Sequence, residues 1–496
     1  MAKYVKTEQG YIDMSSFAPV PFKPEGKSYL TFSSSNRFTL AVYDAIKHWN
    51  GILEYFSADK VWTVWDGTTT LSAVSDDGEY FLYLRGTGNK EITGFTNGQK
   101  YKWVLTGSEI ACTGNIENLL DYGIVESGGH PTMANYCYSG MFYGCTSLTK
   151  APALPAKTLA ISCYSSMFSG CTSLTKAPVL PATTLKSYCY QLMFEGCTAL
   201  TQAPDLPATT LANDCYHSMF YGCTALTQAP DLPAKTLIGD CYSSMFSGCT
   251  ALTQAPALPA TTLANWCYSS MFYGCTALTQ APDLPATTLA NDCYHSMFYG
   301  CTALTQAPAL PATTLANDCY ASMFLGCTSL TQAPELPATS LVTKCYDQMF
   351  YGCRSIKLSS TQTGEYTQEY IVGYTSNYAY LMFYGTGGTF TGTPVKDTYY
   401  LSTDNMIVRD TEIATLNGYV GSMIDNSVSN PLNITGATVG QIAKITAVDE
   451  SGNPTAWEAV DGGVPSVTAS DNGKFLRVVS GAWTAVEIEN ANGGSF

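Results

Sequence analysis

Cysteine is the residue whose type and spacing most invite a chemical reading. The chain has nineteen, and eighteen follow a rule. Cys137, Cys163, Cys189, Cys215, Cys241, Cys267, Cys293, Cys319 and Cys345 succeed one another at 26-residue intervals. Each has a second cysteine eight positions on, from Cys145 and Cys171 through to Cys353; Cys112 stands outside the pattern. Three chemistries use cysteines in number. A structural zinc site gathers thiolates at close, CxxC-type spacing, which a repeated C-x7-C does not offer. A disulfide within one pair is awkward, because residues eight apart on a helical turn lie about 12 Å apart. Bridges between neighbouring units come within reach at a spacing of about 4.8 Å. The third reading is a ladder of reduced, buried thiols that pack as small hydrophobes. No apolar run follows the lysines of the first ten residues, so no secretory signal is expected and the reduced ladder is favoured.

The remaining reactive residue types form no catalytic set. His217 and His295 occupy the same place in units three periods apart. At about 4.8 Å per unit they sit roughly 14 Å from each other, too far to share a metal ion. His48 and His130 have no motif around them. Asp205, Asp231, Asp283 and Glu335 share one unit position, but Val179, Ala257 and Ala309 fill it elsewhere. Acid–base catalysis needs fixed carboxylate partners, so this row reads as a solvated edge. P-loop, GxSxG and HExxH signatures are absent. No catalytic residue, metal or cofactor is expected, and the chain is not expected to be an enzyme.

Binding is better served. The residue after each first cysteine is Tyr in every unit, Tyr138 through Tyr346, which suits packing. The position before the unit glycine varies: Tyr143, Tyr221, Tyr273, Tyr299 and Tyr351, but Ser169, Ser247, Glu195 and Leu325. That variation points to exposure, and exposed aromatic rows stack on sugar rings or grip a protein. These five tyrosines, with His217 and His295, are the candidate ligand-binding residues.

What positions these residues is a repeat. The unit reads Cys-Tyr-x-x-Met-Phe-x-Gly-Cys-Thr-(Ala/Ser)-Leu-Thr-(Gln/Lys)-Ala-Pro-x-Leu-Pro-Ala, and near-copies run from 137 to 358. Its period falls in the leucine-rich-repeat range. One unit cannot bury its own apolar side, whereas a stack gives each unit two neighbours and a continuous core. Leu206 and Leu232, Leu211 and Leu237, and Phe220 and Phe246 mark three core positions. The Met-Phe segment predicts a short helical turn closed at a glycine such as Gly222. Thr-Thr-Leu predicts a short strand in a parallel ladder. Ala-Pro-x-Leu-Pro predicts an extended, polyproline-like edge, because proline removes ladder donors.

The segment Met219-Phe220-Tyr221-Gly222-Cys223-Thr224-Ala225-Leu226-Thr227 resembles the core of the BspA-like leucine-rich repeat, an aromatic-Gly-Cys-x-Ser-Leu-Thr pattern followed by a Pro-bearing strand. The period is a few residues longer than the family's commonest form, and Cys215 stands where a branched aliphatic is usual. The resemblance implies a solenoid with a binding role in a family that spans adhesins of bacteria, protists and phages. A fold shared so widely does not fix function.

The flanks differ in composition. Residues 1–24 carry three prolines and predict an extended arm. Residues 25–110 hold four of the seven tryptophans and six short apolar runs separated by turn residues, which predicts a β-sandwich. Residues 111–136 should cap the array. Residues 359–410 form a degenerate unit and a C-terminal cap: Leu381-Met382-Phe383-Tyr384-Gly385 echoes the repeat without its cysteines. Residues 411–496 contain two hairpin patterns, Gly440 to Val460 and Gly473 to Val486. Two hairpins bury too little to stand alone, so a homo-oligomer is expected, a trimer above all, with a short helix over Thr411 to Ile424 at its axis. The competing expectation is a tail folded back over the last coil. This tail resembles terminal segments of bacteriophage fibre and appendage proteins. The expected fold is thus a mainly β repeat protein: a leucine-rich-repeat-type solenoid of nine 26-residue coils between an N-terminal β-sandwich and a C-terminal hairpin tail.

Composition sets outer limits. Lys plus Arg is 24 against 39 for Asp plus Glu, a net charge of −15, and charged residues are only 13 % of the chain. Neither nucleic acid nor an anionic membrane surface suits such a chain. No apolar stretch reaches 18 residues, so no membrane insertion is expected. Together with the resemblances, this points to a structural and adhesive protein of a bacteriophage virion, a tail or head fibre made in the bacterial cytoplasm. Its partners would be other virion proteins and a glycan or protein of the host surface. The alternative is a secreted bacterial BspA-like adhesin at the cell surface.

Overall fold

The computed structural model describes residues 21–358, except 27, 97, 98, 332, 335 and 339, together with Met382 and the backbone of strands on either side. The first of these strands correct the expectation of an extended arm. β1 (Tyr4–Thr7) and β2 (Gly10–Asp13) pair antiparallel as a hairpin. Phe22 is then buried in an aromatic cluster with Tyr29, Phe56 and Tyr83.

All six runs read from residues 25–110 are strands. They are β3 (Leu30–Ser34), β4 (Thr39–Val42), β5 (Ile52–Phe56), β6 (Trp62–Val64), β9 (Glu79–Thr87) and β12 (Trp103–Thr106). The short β7 (Leu71–Ser72), β8 (Val74–Asp76), β10 (Phe95–Thr96) and β11 (Gln99–Lys100), and β13 (Ile110–Thr113), are additions. One sheet runs β12-β4-β7; a second contains β13-β3-β9-β5-β6, with β8 also on β9. Alternation along β3 and β13 turns Leu30, Phe32, Ile110 and Cys112 inward. They join Leu40, Val42, Trp103 and Leu105 of the other sheet in one core. Trp65 links Trp49 and Trp103, at ring separations of 5.1 and 5.7 Å.

That core does not stop where the repeats begin. β13 pairs antiparallel with β3 and parallel with β14 (Leu148–Lys150) of the first unit. The buried cluster is continuous from Leu30 to Met382. The helix α1 (Asn118–Glu126), broken at Asp121, follows a segment lying on the first unit. There the Ile116 N–H donates to the Ala153 carbonyl, and the Tyr138 hydroxyl donates to the Ile116 carbonyl.

The Cys-to-Gly segment is not the helical turn expected from its Met-Phe pair. It is a run of tight turns in which amides alternate between two jobs. In the unit of Cys163, the N–H groups of Ser162, Tyr164, Ser166, Phe168 and Gly170 donate to carbonyls of the next unit, at 2.7–3.0 Å. The intervening amides of Ser165, Met167, Ser169 and Cys171 each donate three residues back. A helix would turn every amide inward, whereas this arrangement spends half of them on the neighbour. The turns closing at Met167 and Cys171 require positive φ at their third residue. Ser166 (φ 54°) and Gly170 (φ 73°) supply it, so the unit glycine is a turn residue.

The Thr-Thr-Leu expectation contracts as well. Thr184 pairs with Thr158 and Thr210 through single parallel bridges, and a second line joins Gln202, Gln228, Gln254 and Gln280. The prolines between these two lines lack the N–H that would extend the bridges into strands.

Inside the turns, like stacks on like. The tyrosine rings from Tyr138 to Tyr346 lie 5.7–6.0 Å apart and within 10° of parallel. The phenylalanines from Phe142 to Phe350 lie 5.5–5.8 Å apart. The ladder outlasts the period. The Phe350 N–H donates to the Met382 carbonyl as the Phe324 N–H does to that of Met349, so Met382 sits in the core despite seven inserted residues. The other residues of 381–385 lie outside the described set.

Past the array, β15 (Lys357–Leu358) pairs parallel with β17 (Gly387–Gly388). β16 (Tyr366–Ile371), β18 (Thr398–Ser402) and β19 (Ile407–Arg409) form an antiparallel sheet. Residues 417–496 are a separate compact unit. It contains the hairpins β20 (Ile442–Val448) with β21 (Pro454–Val460), and β22 (Phe475–Val479) with β23 (Ala482–Val486). The helix expected over Thr411 to Ile424 lies outside the described residues. No described helix is long and apolar enough to cross a membrane.

Phe246, fully buried between Phe220 and Phe272, tests the packing. Phe246→Ala is expected to lower unfolding free energy by about 3–5 kcal/mol. Chemical denaturation measures it, with the exposed Tyr221→Ala, expected within about 0.5 kcal/mol, as the control.

Candidate ligand-binding faces of the repeat array

The cysteine ladder belongs to the interior. All nineteen cysteines are buried thiols. From Cys171 onward, the second of each pair donates to a carbonyl of the preceding unit, as Cys171 to Phe142, Cys223 to Phe194 and Cys249 to Phe220, at 3.0–3.1 Å. Burial pushes the Cys163 and Cys215 thiols up to about 12. They therefore stay protonated at neutral pH and are poor nucleophiles and metal ligands. The uniform tyrosine row is equally buried, with its phenols pushed upward by desolvation.

The variable row is exposed in part. Tyr143, Tyr221 and Tyr273 are 41 %, 47 % and 41 % exposed, and Tyr299 and Tyr351 are half-buried. Tyr273 and Tyr299 stack at 4.5 Å, giving two adjacent units a shared aromatic ledge. The Lys102 ammonium lies 5.2 Å from the Tyr143 ring. Variation at this position is not the same as exposure, however. Ser169 and Ser247 are buried, because a short side chain sits below its longer neighbours. The Ser169 hydroxyl donates to Glu195 at 2.8 Å.

A second face was not singled out from the sequence. The residue preceding each first cysteine is Tyr136, Ser162, Tyr188, Asp214, Asp240, Trp266, Asp292, Asp318 and Lys344 in turn. All nine have positive φ, between 51° and 61°. Tyr188 and Trp266 are about two-fifths exposed, and the four aspartates between and beyond them are half-buried. Asn265 and Asn291, one position earlier, accept from the N–H groups of Asn291 and Asn317 and run an amide row alongside.

His217 and His295 project onto this same face, each in its own cluster. The ligand atoms of Asp214, His217 and Asp240 lie within 4.8 Å of one another. The charge of the nearby Asp214 carboxylate, with burial, raises the pKa of the Tyr188 phenol. Asp240 is held above the usual carboxylate range by burial and by Asp214. In the second cluster the His295 ring lies 6.1 Å from Trp266, and burial lowers its pKa. Asp292 is pushed up to about 6 by burial, then by Asp318 and Asp240. The signal for both clusters was in the chain: Asp-Cys-Tyr-His at 214–217 and again at 292–295, each with an aspartate 26 residues after its first.

The remaining candidates scatter. His48 pairs with Asp44 at 2.8 Å and stacks on Tyr101. His130 pairs with the buried Glu117 at 2.8 Å. Asp205, Asp231 and Asp283 are exposed, as a solvated edge requires; Glu335 lies outside the described residues. An open cleft of about 680 Å³ lies over Pro152, Pro155, Pro178 and Pro181 near the start of the array.

With this geometry in hand, the comparison with known families is specific. The model of the BspA type leucine rich repeat region matches in six copies, over residues 130–253, 165–287 and 216–357. The array consists of BspA-like leucine-rich repeats. Repeats of this type suggest a surface or adhesin-type protein. No curated protein matches the chain.

Asp292 provides a test by pH. An unfolded aspartate titrates near 3.9, so the folded chain binds this proton more tightly. The stabilisation from that proton is complete below about pH 4 and is lost as pH rises through about 6. Asp292→Asn should raise stability at neutral pH by a few tenths of a kcal/mol after solvent screening. It should also flatten the pH dependence of Tm between about 4 and 7. Calorimetric melts of both proteins measure this.

Proposed function

We propose that the chain is a non-enzymatic adhesive protein that binds a host cell-surface glycan through the array. The observation that carries this reading is the pair of exposed aromatic side chains, Tyr188 and Trp266, bracketing half-buried carboxylates on a rigid face. Aromatic faces stack on the apolar faces of sugar rings, while carboxylates and amides take their hydroxyls. The Tyr273–Tyr299 ledge offers a second stacking surface. Both surfaces stand on turns fixed by hydrogen bonds to their neighbours, so little ordering is left for the ligand to impose.

The repeats alone do not say where the protein is displayed. The resemblance of residues 411–496 to fibre termini favours a bacteriophage virion, with the solenoid as the receptor-binding part of a tail or head fibre. A homo-oligomer, with three copies favoured, would form through that tail, because Trp457 and Trp483 each lie on a two-stranded hairpin. The second reading, a bacterial surface adhesin, rests on the BspA-like repeats themselves.

Glycan-array binding tests the function. Trp266→Ala and Tyr273→Ala should each weaken binding by roughly tenfold, about 1.4 kcal/mol, with unchanged circular dichroism. Retention of full binding by both would contradict the reading. Light scattering should report an oligomer for the full chain and a monomer for residues 1–410. Capsid or tail genes beside the coding sequence would favour the virion, whereas a cell-wall sorting signal in the same reading frame would favour the adhesin.

A further inference from the structure

We propose that Asp214, His217 and Asp240 form a binding site for one divalent transition-metal ion, Zn²⁺ by choice. The site bridges two successive repeat units: Asp214 and His217 come from one, and Asp240 is the counterpart of Asp214 in the next.

The His217 Nδ1 is shielded from water and has no hydrogen-bond partner. The nearest carboxylate oxygen, Asp214 Oδ1, is 3.7 Å away, too far for a hydrogen bond. A shielded, unpaired ring nitrogen facing carboxylates is costly to leave as it stands. The same distance suits two ligands of one ion. Two donors held about 2.1 Å from a tetrahedral centre lie about 3.4 Å apart. The third donor, on Asp240, completes a set whose atoms all fall within 4.8 Å. One imidazole nitrogen and two carboxylate oxygens with a further position open to water is a donor set that suits zinc.

A supporting shell is present too. The Tyr188 phenol lies close enough to Asp214 for the carboxylate's charge to raise its pKa, a neighbour placed to orient a ligating carboxylate. The positive φ at Asp214 and Asp240, 55° at both, is built into the turns before any ion arrives. The scaffold therefore presents the two carboxylates from equivalent places on adjacent units. The second copy of the sequence pattern, at Asp292, His295 and Asp318, does not repeat the site. There the imidazole lies beside Trp266, and these three do not gather as the first set does. Among the described residues, one such site follows. The ion would sit within the proposed glycan-binding surface, on the two carboxylates between Tyr188 and Trp266, but its binding does not depend on that surface taking a glycan.

The test is calorimetric titration of Zn²⁺ into the chelator-treated full chain, paired with the absorption spectrum of the Co²⁺ form. One ion should bind per chain. His217→Ala and Asp240→Asn should each weaken binding by more than about tenfold, and Ser243→Ala should leave it unchanged. His217 and Asp240 are half-buried and Ser243 is a small buried side chain, and circular dichroism checks that the three variants fold. The cobalt spectrum should show ligand-field bands without a thiolate-to-metal band, separating this site from the cysteine ladder. Absence of binding, binding unaffected by both ligand substitutions, or a thiolate band would each overturn the proposal. Loss of glycan binding with metal binding intact would count against the proposed function alone.

Discussion

Every second amide between a unit's first cysteine and its glycine donates to the following unit, and the rest of the array depends on that register. It places residue n over residue n + 26, so whatever one unit presents, inward or outward, is presented in line by the next. The inward result is the stacked rows of Tyr, Phe, Met and Leu. A shift of one residue would direct the carbonyls of one unit at those of the next and push tyrosines against cysteines. The rows themselves resist that shift, because their rings are packed parallel at less than about 6 Å. Backbone and core therefore specify one another.

The same constraint explains the cysteines. The position eight residues into the unit must be small, must be buried, and faces a carbonyl of the preceding unit. A thiol meets all three demands: it packs as a small hydrophobe and still offers a weak donor. The raised pKa values are a consequence of that placement rather than a sign of reactivity. Function is left to positions the register does not use. These are the side chain before each first cysteine, the one two places after it, and the one before the glycine. There the sequence changes from unit to unit while its surroundings stay constant.

Much of this was legible in the chain. The period, the burial of the uniform tyrosine row, the six strands of the N-terminal region and the hairpins at 442–460 and 475–486 follow from spacing and alternation. The helical turn did not hold. Met-Phe between Cys and Gly has the look of a helix end, and nothing local shows that alternate amides are claimed by a neighbouring unit. The hairpin at Tyr4–Thr7 and Gly10–Asp13 was missed beneath the prolines that follow it. The continuity of β3, β13 and β14 was missed because parallel pairing to a repeat leaves no mark in composition. The face of Tyr188, Asp214 and Trp266 was missed for a different reason. Residues with positive φ are usually sought among glycine and asparagine, and here serine, aspartate, tyrosine and tryptophan hold that conformation because the flanking turns impose it.

The most direct measurement is the denaturant unfolding of a chain lacking one whole period, residues 163–188, so that Ser162 runs into Cys189. If coil-to-coil register is what holds the array, the two new neighbours meet in the contacts they already make elsewhere. The shortened chain should stay folded, with an m-value lowered by about the surface of one unit. Loss of soluble, cooperatively unfolding protein on this in-phase deletion would contradict the account. So would equal tolerance of a deletion four residues out of phase.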